Sequence, residues 1–339
     1  MNKKLLVLIY IGLAQGIWAQ VGGRSTYQFL NLVSSPKQAG LGGKLLTDYT
    51  YDPTSALFNP ATINAEMDNQ LSLNYVNYLA DVNYGSASYA YLYDRRTQVI
   101  HAGITYVNYG NFEGYDELGN STSDFTGGEV ALSLGYAYNI PYTDFYVGTN
   151  VKLISSKLEQ YSSFGGAVDF GFIYVNDELN LNIAGVIRNL GTQFTAYDAV
   201  YEKLPLEIDL GFSQQLAHVP LRWHFTLENL QNWNVAFENP SRATTDLNGN
   251  TTPDKINFFD ESLRHMIFAA ELFPEKGFTL RLGYNVRRAE ELRIVDQRSF
   301  AGLSAGFSVK FNKLRLSYSY ARYNSAASSG FFGLNMDLR

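Results

Sequence analysis

The chain has 339 residues, a net charge of −6, no cysteine, and charged side chains at only 17% of its positions. The lack of cysteine excludes disulfide bonds, thiolate metal sites and a lipid anchor on an N-terminal cysteine. The acidic balance disfavours nucleic-acid binding, and the mean hydropathy of −0.16 argues against a helical membrane protein.

The start of the chain predicts a signal peptide over residues 1–19. Lys3 and Lys4 form its basic region, residues 5–13 are apolar, and cleavage is expected before Gln20. This apolar run is shorter than the roughly 18 residues of a spanning helix, and no later segment reaches that length. A mature chain that inserts into a membrane must therefore form a closed barrel, because lipid cannot satisfy free backbone groups.

Residues 20–69 alternate too little to form long strands, and they include the glycine pairs Gly22–Gly23 and Gly42–Gly43. We expect this segment to fold back into a barrel as an N-terminal plug, or hatch. A barrel of about fourteen strands needs such filling, since about eight strands already give an interior that side chains alone can fill.

Residues 70–339 alternate almost continuously between apolar and polar side chains. Leu206, Ile208 and Leu210, for example, alternate with Glu207 and Asp209. A soluble β-sandwich also alternates, but here the polar face carries bulky charges, and the segments have the roughly 9–11 residues that cross a bilayer at a tilt. The pattern predicts an all-β fold, a transmembrane antiparallel β-barrel of about 14 strands. The predicted strands are residues 70–78, 84–93, 98–108, 128–138, 144–154, 161–174, 179–188, 205–215, 220–229, 265–273, 277–287, 299–311, 314–322 and 330–338.

The connections between these strands alternate in length. Every second connection is a tight turn, whereas most of the others are long, namely residues 109–127, 189–204, 230–264 and 288–298. This asymmetry is typical of periplasmic turns and extracellular loops. We therefore expect an integral protein of the outer membrane. An even number of strands would leave both chain ends on the side of the tight turns, in the periplasm.

The sequence offers few candidates for chemistry. Ser34 and Lys37 have the Ser-x-x-Lys spacing of penicillin-binding enzymes, but no Lys-Thr-Gly or Lys-Ser-Gly segment accompanies them. The four histidines are scattered and do not suggest a zinc site. We therefore expect no catalytic residue, no enzyme activity and no cofactor, and we expect Lys37 to pair with a carboxylate inside the barrel.

One loop resembles a calcium-binding loop. Asp246, Asn248, Asn250 and Asp254 have a suitable spacing, but Thr251 stands where such loops have glycine. An ordinary turn rich in Asn, Asp and Gly is the favoured interpretation of this segment.

Two motifs resemble a known family. Asn59, Pro60 and Ala61 resemble the Asn-Pro-Ala motif in the hatch of the FadL family of long-chain fatty-acid transporters. The stretch GGRSTYQFLNLVSSPKQAGLGG is more specific, and it resembles the N-terminus of PorQ-like proteins, which are FadL-like barrels related to PorV in the type IX secretion system of Bacteroidetes. The residues that carry this second resemblance are Gly22, Gly23, Tyr27, Phe29, Leu30, Asn31, Leu32, Ser34, Ser35, Ala39, Leu41, Gly42 and Gly43.

The resemblance implies a non-enzymatic scaffold. PorQ-like proteins are thought to hold a PorZ-like surface protein in an attachment complex with a sortase-like protease, PorU, and a cargo-carrying barrel, PorV. Cargo proteins there are joined to anionic lipopolysaccharide. We expect loops 230–264 and 288–298 to contact the partner. The alternative is FadL-like transport of a hydrophobic ligand such as a long-chain fatty acid, which predicts an apolar pocket that reaches a lateral opening.

Overall fold

The computed structural model describes most of the chain after the predicted signal peptide. The described residues are 25–78, 81–94, 98–116, 118–198, 200–236, 244–245, 251–252, 256–274, 276–292, 300–322 and 328–339. The signal peptide, Gly22 and Gly23 lie outside these ranges, and so do the four calcium candidates Asp246, Asn248, Asn250 and Asp254.

Fourteen antiparallel strands form a closed barrel, which confirms the predicted fold class. The barrel strands are β1 (Gln70–Asn77), β2 (Asn83–Asp94), β3 (Gln98–Phe112), β4 (Phe125–Asn139), β5 (Phe145–Leu158), β6 (Tyr161–Asn176), β7 (Leu181–Thr195), β8 (Glu207–Gln215), β9 (Leu221–Leu227), β12 (Met266–Leu272), β13 (Phe278–Asn285), β14 (Leu303–Phe311), β15 (Leu314–Ala321) and β16 (Ser329–Asp337). Between β9 and β12, the short strands β10 (Thr244–Thr245) and β11 (Thr251–Thr252) pair only with each other.

Each barrel strand pairs with the strands next to it in the chain, and the ring closes where β1 pairs with β16. Their register runs from Gln70 opposite Asp337 to Asn77 opposite Gly330. The loop that contains β10 and β11 leaves the ring, so β9 pairs directly with β12. No barrel strand therefore has a free edge.

The two faces of the ring have the reverse of the usual polarity. In β13, Thr279 and Arg281 point inward and are buried, whereas Leu280 and Leu282 point outward and are exposed. Large apolar side chains are exposed on most other strands in the same way. A soluble protein hides such side chains, and a barrel with an apolar outer face is the arrangement found in lipid.

Six strands are longer than the sequence analysis expected. Strand β2 has 12 residues, and strands β3 to β7 each have 14 to 16. Strands β3 and β4 continue into the predicted loop 109–127 until Phe112 pairs with Phe125, whose rings stack 5.2 Å apart. Strand β7 likewise runs to Thr195. These predicted loop bounds were wrong because the strands keep pairing beyond the length that a bilayer requires.

The segment before β1 folds into short turns. It contains 3-10 turns at Gln28–Asn31, Pro53–Leu57, Pro60–Thr62 and Ala65–Met67, and one helix, α1 (Pro36–Gly40). Ser35, Asp52, Asn59 and Asn64 cap the last four of these elements, since each side-chain oxygen accepts a hydrogen bond from a backbone N–H two or three residues later.

Two further helices lie in connections between strands, and the sequence analysis did not predict them. Helix α2 (Phe258–Arg264) precedes β12, and helix α3 (Val286–Glu291) follows β13. Among the described residues, none of the helices has the length and apolar character that a membrane span requires.

Deleting residues 329–339 should prevent closure of the ring. The deletion removes β16 and leaves β1 and β15 with unpaired edges, so we expect the shortened chain to aggregate or stay unfolded. Folded barrels change mobility on gels after boiling, and we expect this shift only for the full-length chain.

The matched control lacks only Leu338 and Arg339, which lie beyond all eight residue pairs between β1 and β16. It should keep the mobility shift. A normal shift in the longer deletion would contradict closure by β16.

Candidate functional site: the inner wall and the N-terminal segment

Residues 26–67, called here the N-terminal segment, contact strands on opposite sides of the ring. Helix α1 lies against β13 to β16, the turn at Pro53–Leu57 against β1 to β3, and the turn at Pro60–Thr62 against β4 to β6. Strands so far apart in the ring share only its inner side. The candidate site is therefore the interface between this segment and the inner wall.

The Asn-Pro-Ala motif forms one tightly held turn of this interface. The Asn59 Oδ1 atom accepts a hydrogen bond from the Ala61 N–H at 3.0 Å, and the Asn59 amide donates to the Leu46 carbonyl at 2.9 Å. The wall opposite has glycine at Gly148 and Gly171, where an added Cβ would overlap Pro60 and Asn59 respectively. The turn thus requires the absence of side chains on β5 and β6.

A glycine-rich turn makes a second close contact. Gly42 and Gly43 have φ angles of 89° and 115°, which a residue with a side chain rarely adopts. The Gly42 N–H donates to Ser304 Oγ at 3.1 Å, and a Cβ at Gly283 would overlap the Gly42 nitrogen. This pair of glycines, which the sequence analysis selected, is needed for backbone shape and close approach.

The first part of the segment belongs to an apolar cluster inside the ring. Tyr27, Phe29 and Leu30 are buried, and the cluster also takes in apolar side chains from the strands. The strand residues are Val76, Tyr84, Val107, Ala131, Ile154, Ala167, Ala321 and Phe331. Val76 and Tyr84 flank the connection between β1 and β2, and Ala321 and Phe331 flank the one between β15 and β16. This cluster therefore lies toward the long-loop end.

A buried charge cluster surrounds Lys44. Its Nζ atom lies 3.0 Å from Glu207, 3.2 Å from Asp209 and 3.4 Å from Glu228. Arg188 pairs with Glu207 at 2.9 Å, and Arg287 pairs with Glu228 at 3.2 Å. Three cations thus balance three carboxylates, and one of the cations comes from the N-terminal segment.

The protonation of Lys44 follows from these contacts. Burial lowers the pKa of Lys44, but the carboxylates of Asp209, Glu207 and Glu228 raise it by more, so the pKa lies above its ordinary value. Lys44 therefore remains a cation at physiological pH and holds the segment to β8 and to the end of β9. The segment also accepts a hydrogen bond from Arg188, at 2.8 Å, on the Leu30 carbonyl.

The Ser34 and Lys37 pair has no catalytic arrangement in this interface. Lys37 pairs with Asp48 of the same segment at 2.7 Å, and Ser34 Oγ donates to Ser86 Oγ at 2.9 Å. The expected partner of Lys37 was a carboxylate inside the barrel, and Asp48 is one, although it lies on the segment and not on a strand.

Other inward charges also have partners. Arg281 pairs with Glu271 at 2.9 Å on neighbouring strands, and the Arg315 guanidinium carbon lies 4.5 Å from the centre of the Tyr51 ring. Lys152 pairs with Asp169 at 2.7 Å. The sequence analysis did not single out the last pair, although both residues stand on the polar face of alternating strands, and that position could have identified them.

Cavities remain beside the segment at both ends of the ring. One of 240 Å³ is lined in part by Asn31, Lys44, Glu228, Arg287 and Arg288. Another of 140 Å³ lies near the opposite end and is lined in part by Tyr49, Ile63, Asn64, Val99 and Tyr146. Within the described ranges no group of three or more His, Asp or Glu residues is placed to hold a metal ion.

Comparisons with known proteins identify the fold. No protein-family model and no curated protein matches the chain. Among solved structures, the toluene transporter TbuX of Ralstonia pickettii matches with a TM-score of 0.54 at 13% sequence identity. The match covers 91% of this chain and 100% of TbuX. A TodX monoaromatic hydrocarbon channel, the deltaS2 mutant, gives 0.53 at 14% identity, over 90% of this chain and 97% of that one.

A FadL homologue from Pseudomonas aeruginosa gives a TM-score of 0.50 at 10% identity, over 90% of this chain and 98% of its own length. Identities this low establish the fold and nothing finer. The chain therefore has the fold of a FadL-like outer-membrane barrel of fourteen strands.

Replacing Lys44 with methionine should weaken the folded state strongly. The variant leaves three buried carboxylates with two arginines, and a broken buried ion pair costs about 3–5 kcal/mol. Urea unfolding in detergent should show a lower midpoint. The matched control is Lys157→Met, an exposed lysine on β5, which should change stability by less than about 0.5 kcal/mol. Equal midpoints for the two variants would contradict the role of Lys44.

Gly148→Ala should disturb the Asn-Pro-Ala turn. Its new methyl group would overlap the Pro60 carbonyl, and overpacking of this kind costs about 1–3 kcal/mol. The matched control is Gly277→Ala, because a Cβ there has no atom within 4 Å. We expect faster protease cleavage of the N-terminal segment in the first variant only, and cleavage at the parental rate would argue against tight docking of the turn.

Proposed function

We propose that the chain is an integral outer-membrane barrel that passes a small hydrophobic molecule. One observation carries this proposal: more than nine-tenths of the chain has the fold of a protein described as a toluene transporter, and a monoaromatic hydrocarbon channel shares that fold. The comparisons favour this function over anchoring of a surface partner. The exposed apolar residues of the outer face supply the surface that lipid would cover.

The apolar cluster near the long loops is the natural entry point for such a molecule. It places Tyr27, Phe29 and Leu30 of the N-terminal segment among apolar side chains of the wall. Beside this cluster the interior carries ion pairs around Lys44, which do not suit a hydrophobic ligand. In this proposal residues 20–69 act as a plug, residues 70–339 form the barrel, and the plug shifts when a ligand passes.

A second function, anchoring a surface partner, has its own support in the interior. Lys44, Arg188 and Arg287 tie the segment and the loop after β13 to the wall through buried ion pairs, and such contacts suit a barrel that stays closed. The resemblance of residues 22–43 to PorQ-like proteins favours the same function. The partner would be a PorZ-like protein beside PorU and PorV, bound through loops 230–264 and 288–298, with both chain ends in the periplasm.

Deleting the gene should separate the two functions. If the barrel transports, uptake of labelled toluene or of a long-chain fatty acid will fall, and the surface proteins will stay on the cell. If it anchors, uptake will be unchanged, and one surface protein will appear in the medium.

Complementation with the full-length chain should restore whichever property was lost. The chain that lacks residues 329–339 serves as the negative control, because this shortened chain should not form a barrel. Unchanged uptake in the deletion strain would contradict the transport proposal, and unchanged surface proteins would contradict anchoring.

A further inference from the structure

His265 lies at the long-loop end of the ring, between helix α2 and strand β12, and it is buried. Its Nδ1 atom lies 2.6 Å from the Glu228 carbonyl oxygen, and its Nε2 atom lies 3.0 Å from the Trp233 carbonyl oxygen. Glu228 follows β9 directly, and Trp233 stands a few residues further along the same connection. One imidazole ring thus joins two points of one loop.

The two contacts of His265 require two protons on its ring. Both acceptors are carbonyl oxygens, which cannot donate a hydrogen bond. A neutral imidazole has one N–H group, so it donates to one oxygen while the lone pair of its other nitrogen points at the second. An imidazolium has two N–H groups and can donate to both. The arrangement is therefore complete only when the ring of His265 is a cation.

Residues 229–236, called here the strap, are attached to the barrel near both ends as well. At the start of the strap, the Leu230 N–H donates to the Ile208 carbonyl at 2.8 Å. At its end, the Ala236 N–H donates to Glu261 Oε1 at 2.9 Å. The imidazole contact lies between these two points, so it is the contact that holds the middle of the strap.

The Trp233 ring adds a second contact that depends on the same charge. It stacks on the His265 ring with the ring centres 5.0 Å apart and on the Phe258 ring with the centres 5.4 Å apart. Trp233 and Phe258 are nevertheless 42% and 75% exposed. A cation over an indole face is attracted to its π electrons. Loss of the charge on His265 therefore weakens the stack as well as one hydrogen bond.

The elements next to His265 carry several charged side chains. Helix α2 has Asp260, Glu261 and Arg264, Glu228 follows β9, and helix α3, which contacts α2, has Arg287, Arg288, Glu290 and Glu291. Glu228 pairs with Lys44 and Arg287. Burial raises the pKa of the Glu291 carboxyl, so Glu291 is a second group whose charge can change in mildly acidic solution. The strap itself contains no titratable side chain.

We infer that His265 is a proton-dependent latch for the strap. As an imidazolium it fastens the middle of the strap to the end of β9, and loss of one proton to solvent releases the middle while both ends stay attached. The Nε2 proton is the one that leaves, because the contact of Nε2 with Trp233 is the longer of the two.

The direction of the pH dependence follows from the number of protons that each state uses. The fastened strap uses both N–H groups of His265 and the released strap does not, so fastening is favoured at low pH and weakens as the pH rises. Histidine changes charge between about pH 5 and pH 8. Release frees the Trp233 ring and adds apolar surface at the long-loop end. The latch depends only on these contacts, and it goes beyond both transport and anchoring.

The test uses the mature full-length chain in detergent with one spin label. The chain has no cysteine, so Asn234→Cys gives a single attachment point at an exposed residue of the strap. The electron paramagnetic resonance line shape reports the mobility of the label. From about pH 5 to about pH 8 we expect the ratio of immobile to mobile label to fall by about tenfold, as the loss of a hydrogen bond from a charged donor predicts.

Two variants carry the same label. His265→Gln has an amide that does not titrate, so its spectrum should not change over this pH range. His218→Gln is the matched control, because it removes an exposed histidine from the turn between β8 and β9 at the other end of the ring. It should respond to pH as the parent does. The gel shift on boiling verifies that each variant forms a barrel.

Each outcome decides the inference. A parent spectrum that stays constant over the range would overturn the latch, whether or not His265→Gln folds. A pH response that persists in His265→Gln would also overturn it and would point to another group such as Glu291. A response that His265→Gln loses and His218→Gln keeps would confirm it. None of these results bears on uptake or on surface proteins, so the proposed function stands or falls separately.

Discussion

The pairing of β1 with β16 is the constraint on which the rest of the structure depends. Closure gives every barrel strand a partner on both sides, so the backbone can be paired around the ring and the outer face can be apolar. Closure also separates an inside from an outside, which allows polar residues such as Thr279 to be buried while Leu280 is exposed. A ring of fourteen strands is too wide for its own side chains to fill, and the N-terminal segment contacts strands on several sides of its inner wall.

The interior holds the segment through two kinds of contact. Around Phe29 and Leu30 the contact is apolar, and apolar contacts tolerate small shifts because they have no direction. Beside this cluster, Lys44 faces Glu207, Asp209 and Glu228. A buried carboxylate without a partner is costly, so the charge cluster fixes the register of the segment against the wall.

The strands and the fold class followed from local rules, because the alternation of side chains and the chemistry of tight turns both act within a few residues. The observed ring starts at Gln70 and ends at Asp337, within a residue of the predicted bounds. Helices α2 and α3 were missed because each has fewer than eight residues, although their caps, Asn257 and Asn285, are a signal that could have revealed them. The partners of Lys44 lie more than 160 residues away in the chain, and alternation shows only that their side chains point inward. Likewise, nothing local marks Gly148 as the residue that accommodates Pro60.

Transport and anchoring place opposite demands on the same contacts. A molecule that crosses the interior must displace the segment, and displacement takes Lys44 away from three carboxylates that the wall keeps buried. The apolar cluster around Phe29 and Leu30 can yield without that cost. A barrel that serves only to hold a partner needs no movement of either cluster. Displacement of the charge cluster by a ligand is therefore the event that would distinguish transport through the interior from anchoring.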